Sequence, residues 1–89
     1  MRSVADEIQV TVRYFAAARA AAGVESETLT LRGGATVADM VDNLAARNGR
    51  LATLLDRCSF LCDEIAVRDV TKALSTGNTI DVLPPFAGG

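Results

Sequence analysis

Three groups of residues carry atoms capable of chemistry. They are the thiols of Cys58 and Cys62, the adjacent carboxylates of Asp63 and Glu64, and the closing run Pro84-Pro85-Phe86-Ala87-Gly88-Gly89. There is no histidine in the 89 residues. That composition excludes imidazole acid–base catalysis, Ser/His and Cys/His nucleophilic pairs, and histidine-ligated metal centres. The two cysteines lack the further soft ligands that a metal site needs and the spacing of a Cys-x-x-Cys redox pair, so no metal site is expected. Cys58 precedes and Cys62 ends the short apolar run Ser59–Cys62, where cysteine serves as a small hydrophobe. Asp63 and Glu64 would point to opposite faces of a strand, and a solvated turn accounts for them. Gly33-Gly34 stands between a strand and a helix cap, where glycine supplies positive φ. The Gly-x4-Gly-Lys-Ser/Thr phosphate loop is absent.

The closing run is of another kind. Two prolines cannot continue a central strand, and they stiffen the backbone into an extended form. An aromatic residue, an alanine and two glycines follow. A frayed terminus is the bland account, but fraying requires neither a stiff spacer nor an aromatic anchor. A tail threading a narrow channel requires both: the prolines limit the entropy lost on docking, Phe86 grips a pocket, and the small residues fit a tight passage. The reactive group is then the α-carboxylate of Gly89, with Pro84, Pro85, Phe86, Ala87 and Gly88 docking the tail.

The rest of the chain is a small scaffold. At 89 residues and 49% hydrophobic composition, much of it alanine, one modest core is expected, hence a single domain over residues 1–89. The net charge of −2 argues against a nucleic-acid partner. No apolar stretch approaches the ~20 residues of a membrane span. The polar start, Met1 to Glu7, reads as an N-terminal extension without a signal region, and a cytoplasmic location with reduced thiols is expected.

Ile8 to Phe15 alternates with period two, Ile8, Val10, Val12 and Tyr14 on one face, and predicts a strand on whose polar face Phe15 is the exception. Ala16–Ala22, ending at Gly23, predicts a short helix or turn. Thr28–Leu31 predicts a second strand. Thr36 caps a helix marked by Val37, Met40, Val41 and Leu44, with Asp39 completing a weaker capping box and Asn48-Gly49 closing it. Leu51, Leu54 and Leu55 suggest one more helical turn. Ser59–Cys62, Ile65–Val67 and Thr79–Leu83 predict three short strands, with Asp81 and Leu83 outward in the last. The expectation is an α+β fold: a mixed sheet of about five strands with one main helix packed on it.

Leu83-Pro84-Pro85-Phe86-Ala87-Gly88-Gly89 resembles the ending of the MoaD/ThiS family of ubiquitin-like sulfur carriers, and the Pro-Pro form resembles the small subunits of molybdopterin synthases. Arg13-Tyr14-Phe15-Ala16 with Arg19 and Gly23 is similar to that family's first strand and turn. Gly34-Ala35-Thr36-Val37 is similar to the start of its long helix, and Leu74–Gly77 with Ile80-Asp81-Val82 to its last hairpin. Asp63-Glu64 and Gly77-Asn78 depart from the family's turns, and Met1 to Glu7 lies outside the likeness. The resemblance implies a β-grasp fold with a flexible tail over residues 84–89 and a non-catalytic chain that binds no cofactor stably. It implies an E1-like adenylyltransferase that uses ATP to adenylate Gly89, a sulfur donor protein that leaves a thiocarboxylate there, and a large catalytic subunit that receives the sulfur. Thiamine or cysteine synthesis and protein conjugation are alternative destinations, and a β-grasp interaction module without chemistry is a third reading.

In such a fold the first and last strands lie side by side. Phe15 and Leu83, both large and apolar on polar strand faces, are then expected to share an exposed patch together with Phe60, and exposed apolar patches mark interfaces. The bland alternative covers Phe15 with the segment Ala16–Ala22.

Overall fold

The structure, a computed structural model, describes residues 6–85. Strand β1 (Glu7–Tyr14) takes in Glu7, expected in the N-terminal extension, because its ladder with the next strand reaches Glu7 opposite Arg32. From there it alternates as its pattern predicts, burying Val10, Val12 and Tyr14 while Gln9 and Arg13 face outward. Phe15 does not belong to the strand. It is the extended N-cap of helix α1 (Ala16–Ala22), which ends at Gly23 in the left-handed region at φ 82°. Strand β2 (Ser26–Arg32) starts before the expected Thr28, because its antiparallel ladder with β1 runs on to Arg13 opposite Ser26.

Helix α2 (Val37–Arg47) begins with a complete capping box. Thr36 Oγ1 accepts from the Asp39 N–H at 3.1 Å, and Asp39 Oδ2 accepts from the Thr36 N–H at 2.9 Å, satisfying two otherwise orphaned donors. The helix buries Val37, Met40 and Leu44 against the sheet. The extra turn expected around Leu51 is a helix of its own, α3 (Gly49–Leu55). Asn48 lies between the two: its N–H donates to Leu44 O, its Oδ1 accepts from the Leu51 N–H, and its Nδ2 donates to Ala21 O in α1. One side chain thus joins three helix ends.

Strands β3 (Ser59–Cys62), β4 (Ile65–Ala66) and β5 (Thr79–Leu83) complete a five-stranded sheet in the order β2-β1-β5-β3-β4. Only β1 and β5 are parallel; the other neighbours are antiparallel. The parallel pair requires a long crossover, which α2, α3 and the β3-β4 hairpin supply. This is the β-grasp arrangement. Buried side chains from one sheet face, including Val10, Val12, Leu29, Ile80 and Val82, meet those of the helices in one core. Among the described residues, no helix is long and apolar enough to cross a membrane.

Two local features carry a stability signature. Tyr14 donates its hydroxyl to Glu27 Oε2 at 2.6 Å, and Arg47 Nη2 donates to Glu27 Oε1 at 2.8 Å, tying β1, β2 and the end of α2 together. Burial, and then the hydrogen bond to the Glu27 carboxylate, push the Tyr14 phenol well above its ordinary range. The β3-β4 turn places two non-glycine residues, Asp63 at φ 50° and Glu64 at φ 72°, in the left-handed region. Both conformations suit a two-residue hairpin turn, in which Asn-Gly is preferred because the second position disfavours a side chain.

Two expected outcomes follow. The folded phenol binds its proton more tightly than the unfolded one, so the stability it contributes is complete below about pH 10 and is lost as pH rises beyond that. Tyr14 is the single tyrosine of a chain without tryptophan. Its phenolate absorbance should therefore appear only at the alkaline pH where circular dichroism reports unfolding; ionisation of the folded protein near the ordinary pKa would contradict the network. Glu64→Gly should stabilise the fold by about 0.5–1 kcal/mol, the relief of the left-handed residue less the added freedom of the unfolded chain. Thermal denaturation should register it as a rise of about 2–8 °C.

Candidate functional site

The closing run leaves the domain from β5, the middle strand of the sheet. That strand is held on both sides: Val82 stands beside Tyr14 of β1 and Phe60 of β3, and the Phe15 N–H donates to Val82 O at 3.2 Å. Ile80 and Val82 are fully buried. Pro84 is still buried against the domain and Pro85 is exposed, so the chain emerges between the two prolines. Phe86, Ala87, Gly88 and Gly89 lie outside the described residues.

Beside this exit the outer face of the sheet, the one the helices leave open, carries the apolar residues. The parallel register sets Tyr14 beside Val82, and the Phe15 N–H bond to Val82 O carries the alignment one residue further, toward Leu83. Phe15 is 39% exposed, so α1 does not cover it, and Leu83 is half-buried. Phe60 does not join them. It stands opposite Val82, whose side chain faces the core, and it packs against the core from that side. The outer-facing neighbour in β3 is Leu61, opposite Asp81. In the run Phe60-Leu61 two large apolar residues are adjacent, so the sequence pattern does not say which one faces inward; the pairing with β5 does.

Between Phe15 and the centre of this face lies an ion pair that sequence reasoning missed. Arg13 Nε donates to Asp81 Oδ1 at 2.6 Å and Nη2 to Oδ2 at 2.8 Å, a two-pronged contact across the β1-β5 seam. The Asp81 side chain is only 7% exposed, against 45% for Arg13. The guanidinium also stands 5.7 Å from the centroid of the Phe15 ring, within cation–π range. Its pKa is raised further by the hydrogen bonds to Asp81, the charge of Asp81, and the more distant charge of Glu64, with burial opposing. Asp81 is therefore outward, as its position in the strand predicts, yet buried under its partner. An outward arginine in β1 and an outward aspartate in β5 were the available signal, and only the register joins them.

The remaining reactive groups are structural. Asp63 accepts from the Thr79 N–H at 2.8 Å and from Asn78 Nδ2 at 2.7 Å, bracing the hairpin against β5. Cys58 and Cys62 are free and half-buried, and Cys58 Sγ lies 3.3 Å from Leu54 O. Burial pushes both thiols up, with the Asp63 carboxylate adding to the effect at Cys62, so neither is an activated nucleophile. Among the described residues, no three His, Cys, Asp or Glu side chains converge as metal ligands.

Known proteins share this architecture. The profile of the ThiS family matches residues 12–89. A molybdopterin synthase sulfur carrier subunit from Chlamydomonas reinhardtii is 34% identical over 83 residues, covering 92% of this chain and all of that protein. The solution structure of the HVO 2177 protein of Haloferax volcanii superposes with a TM-score of 0.84 at 30% identity, covering 94% of this chain and 89% of that one. A putative molybdopterin converting factor subunit 1 from Pyrococcus furiosus gives a TM-score of 0.81 at 26% identity, over 89% of this chain and 99% of that one. The β-grasp sheet, the matched span and the Gly-Gly ending agree, and the chain belongs to the ThiS family, the MoaD/ThiS group its tail resembles.

Proposed function

We propose that this chain is the sulfur-carrier subunit of a molybdopterin synthase and that its reactive group is the α-carboxylate of Gly89. The observation that carries the reading is a Pro-Pro-Phe-Ala-Gly-Gly run issuing from a strand locked on both sides, in a chain 34% identical to a carrier subunit of that complex along that protein's whole length. A fixed base and a slim, stiff tail suit insertion into a partner's active site.

A C-terminal carboxylate, with an ordinary pKa of about 3.3–3.7, is ionised near neutral pH and is a poor electrophile. An E1-like adenylyltransferase joins it to the AMP portion of ATP and releases pyrophosphate. A sulfur donor protein then delivers sulfur at the sulfide level to the acyl carbon, the acyl–oxygen bond to AMP breaks, AMP departs, and Gly89 ends in a thiocarboxylate. Inside the large catalytic subunit that sulfur passes to the pterin precursor, and hydrolysis returns the carboxylate. This chain supplies the acyl group and the surface by which it is recognised; the partners supply the catalytic groups. Phe15 and Leu83, flanking the tail's exit, form the docking patch for the large subunit and the activating enzyme. The match to the ThiS profile also favours a second reading, the same chemistry delivering sulfur to thiamine synthesis.

Intact-mass spectrometry tests the carrier chemistry. After incubation with ATP, the activating enzyme and a sulfur donor, the protein should gain the mass of one sulfur-for-oxygen exchange, located at Gly89. A variant with one residue added after Gly89 should gain nothing. An unchanged mass for the parent chain would favour a β-grasp interaction module without chemistry. Transfer of the sulfur to pterin precursor, rather than to a thiamine precursor, separates the two destinations.

A further inference from the structure

We propose that Arg13 selects the partner: the surface that covers the outer sheet face beside the tail must present an uncharged hydrogen-bond acceptor, a backbone carbonyl or an amide or hydroxyl oxygen, to the free edge of the Arg13 guanidinium. The inference rests on the reading of this face as the docking side.

A guanidinium carries five N–H donors in a rigid plane. Asp81 takes one from Nε and one from Nη2. Among the described residues, no hydrogen bond engages Nη1. The Asp81 contact, braced by the Phe15 ring, fixes the plane, so the open edge does not swing toward another partner. The Arg13 side chain is 45% exposed, so solvent reaches the guanidinium in the isolated domain.

On this face the Phe15 ring lies against the guanidinium and Leu61 stands opposite Asp81, while Asp63, Glu64 and Thr79 share a shallow recess with Arg13. A partner that covers these residues strips the water from Arg13 as well. A wholly apolar surface would leave buried donors without acceptors, a large penalty for any charged group. A partner carrying an acceptor at that point avoids it, and a competitor without one is rejected. The acceptor is uncharged because Asp81 already balances the positive charge and Glu64 adds a negative field at Arg13. An additional carboxylate would bring excess negative charge to a site being desolvated.

The test is calorimetric titration of the chain with the molybdopterin synthase large subunit of the same organism, at low and high salt. Phe15→Asp with Leu83→Asp probes the face itself. Arg13→Met with Asp81→Leu removes the ion pair while keeping its volume, a replacement that proteins commonly tolerate. The first variant should lose binding. The second should bind about tenfold more weakly or worse, the scale of one buried hydrogen bond to a charged group, by a factor that salt hardly changes. Parent-like affinity in the second variant alone overturns the role of Arg13 and leaves the docking face intact. Parent-like affinity in the first overturns the docking face, and the proposal with it. A penalty that vanishes at high salt points to a carboxylate and overturns the uncharged acceptor. Should circular dichroism find the paired replacement unfolded, Arg13→Lys decides: it retains a charge for Asp81 but lacks the second edge of the fork, and parent-like binding overturns the proposal.

Discussion

The parallel pairing of β1 with β5 is the contact on which the molecule depends. It brings residues nearly seventy positions apart into register, Thr11 beside Thr79 and Tyr14 beside Val82. β3 closes the other flank of β5, so the last strand is the most enclosed although it is last in sequence. The same seam aligns Arg13 with Asp81, carries Phe15 toward Leu83 and fixes the point where Pro84 and Pro85 leave the sheet. A strand paired on one side alone would fray at its end. Flanked on both sides, β5 holds the base of the tail as a rigid mount.

The two sheet faces divide the work. One is covered by helices and filled with aliphatic side chains, and its polar intrusions are satisfied: the Tyr14 hydroxyl and the Arg47 guanidinium share the Glu27 carboxylate, and the Asn48 side chain serves both α1 and α3. The other face is open. Its threonines toward β2 match an ordinary solvated surface, whereas its β5 side collects Phe15, Leu61 and Leu83 around one ion pair. A chain of this size builds one modest interior, and the proposed role accordingly places the chemistry on a terminal group and on the surface that presents it.

Much of this was legible in the residues. The alternation of Ile8–Tyr14, the Thr36/Asp39 cap and the Val37-Met40-Leu44 spacing each report a local periodicity or a local hydrogen bond, and each stands where it was expected. The likeness of the tail to the MoaD/ThiS ending rests on consecutive residues, which need no fold to be read. Three features were not legible. Phe60 faces the core although the patch was expected to include it, Phe15 caps a helix rather than ending a strand, and Asp81 is buried although polar.

The physical reason is one of range. A side chain's direction relative to its own strand is set by the two-residue pleat, and a helix cap by dihedrals within one turn, so sequence alone determined these. Which residues meet across a seam depends on the register of strands joined by a crossover of more than sixty residues, and no local preference encodes that shift. Sequence therefore determined the elements, the alternation of each well-patterned strand and the nature of the closing run. Tertiary structure alone decided that Arg13 would cover Asp81, that Leu61 rather than Phe60 would look outward, and that Phe15 would be aligned toward Leu83 where the tail begins.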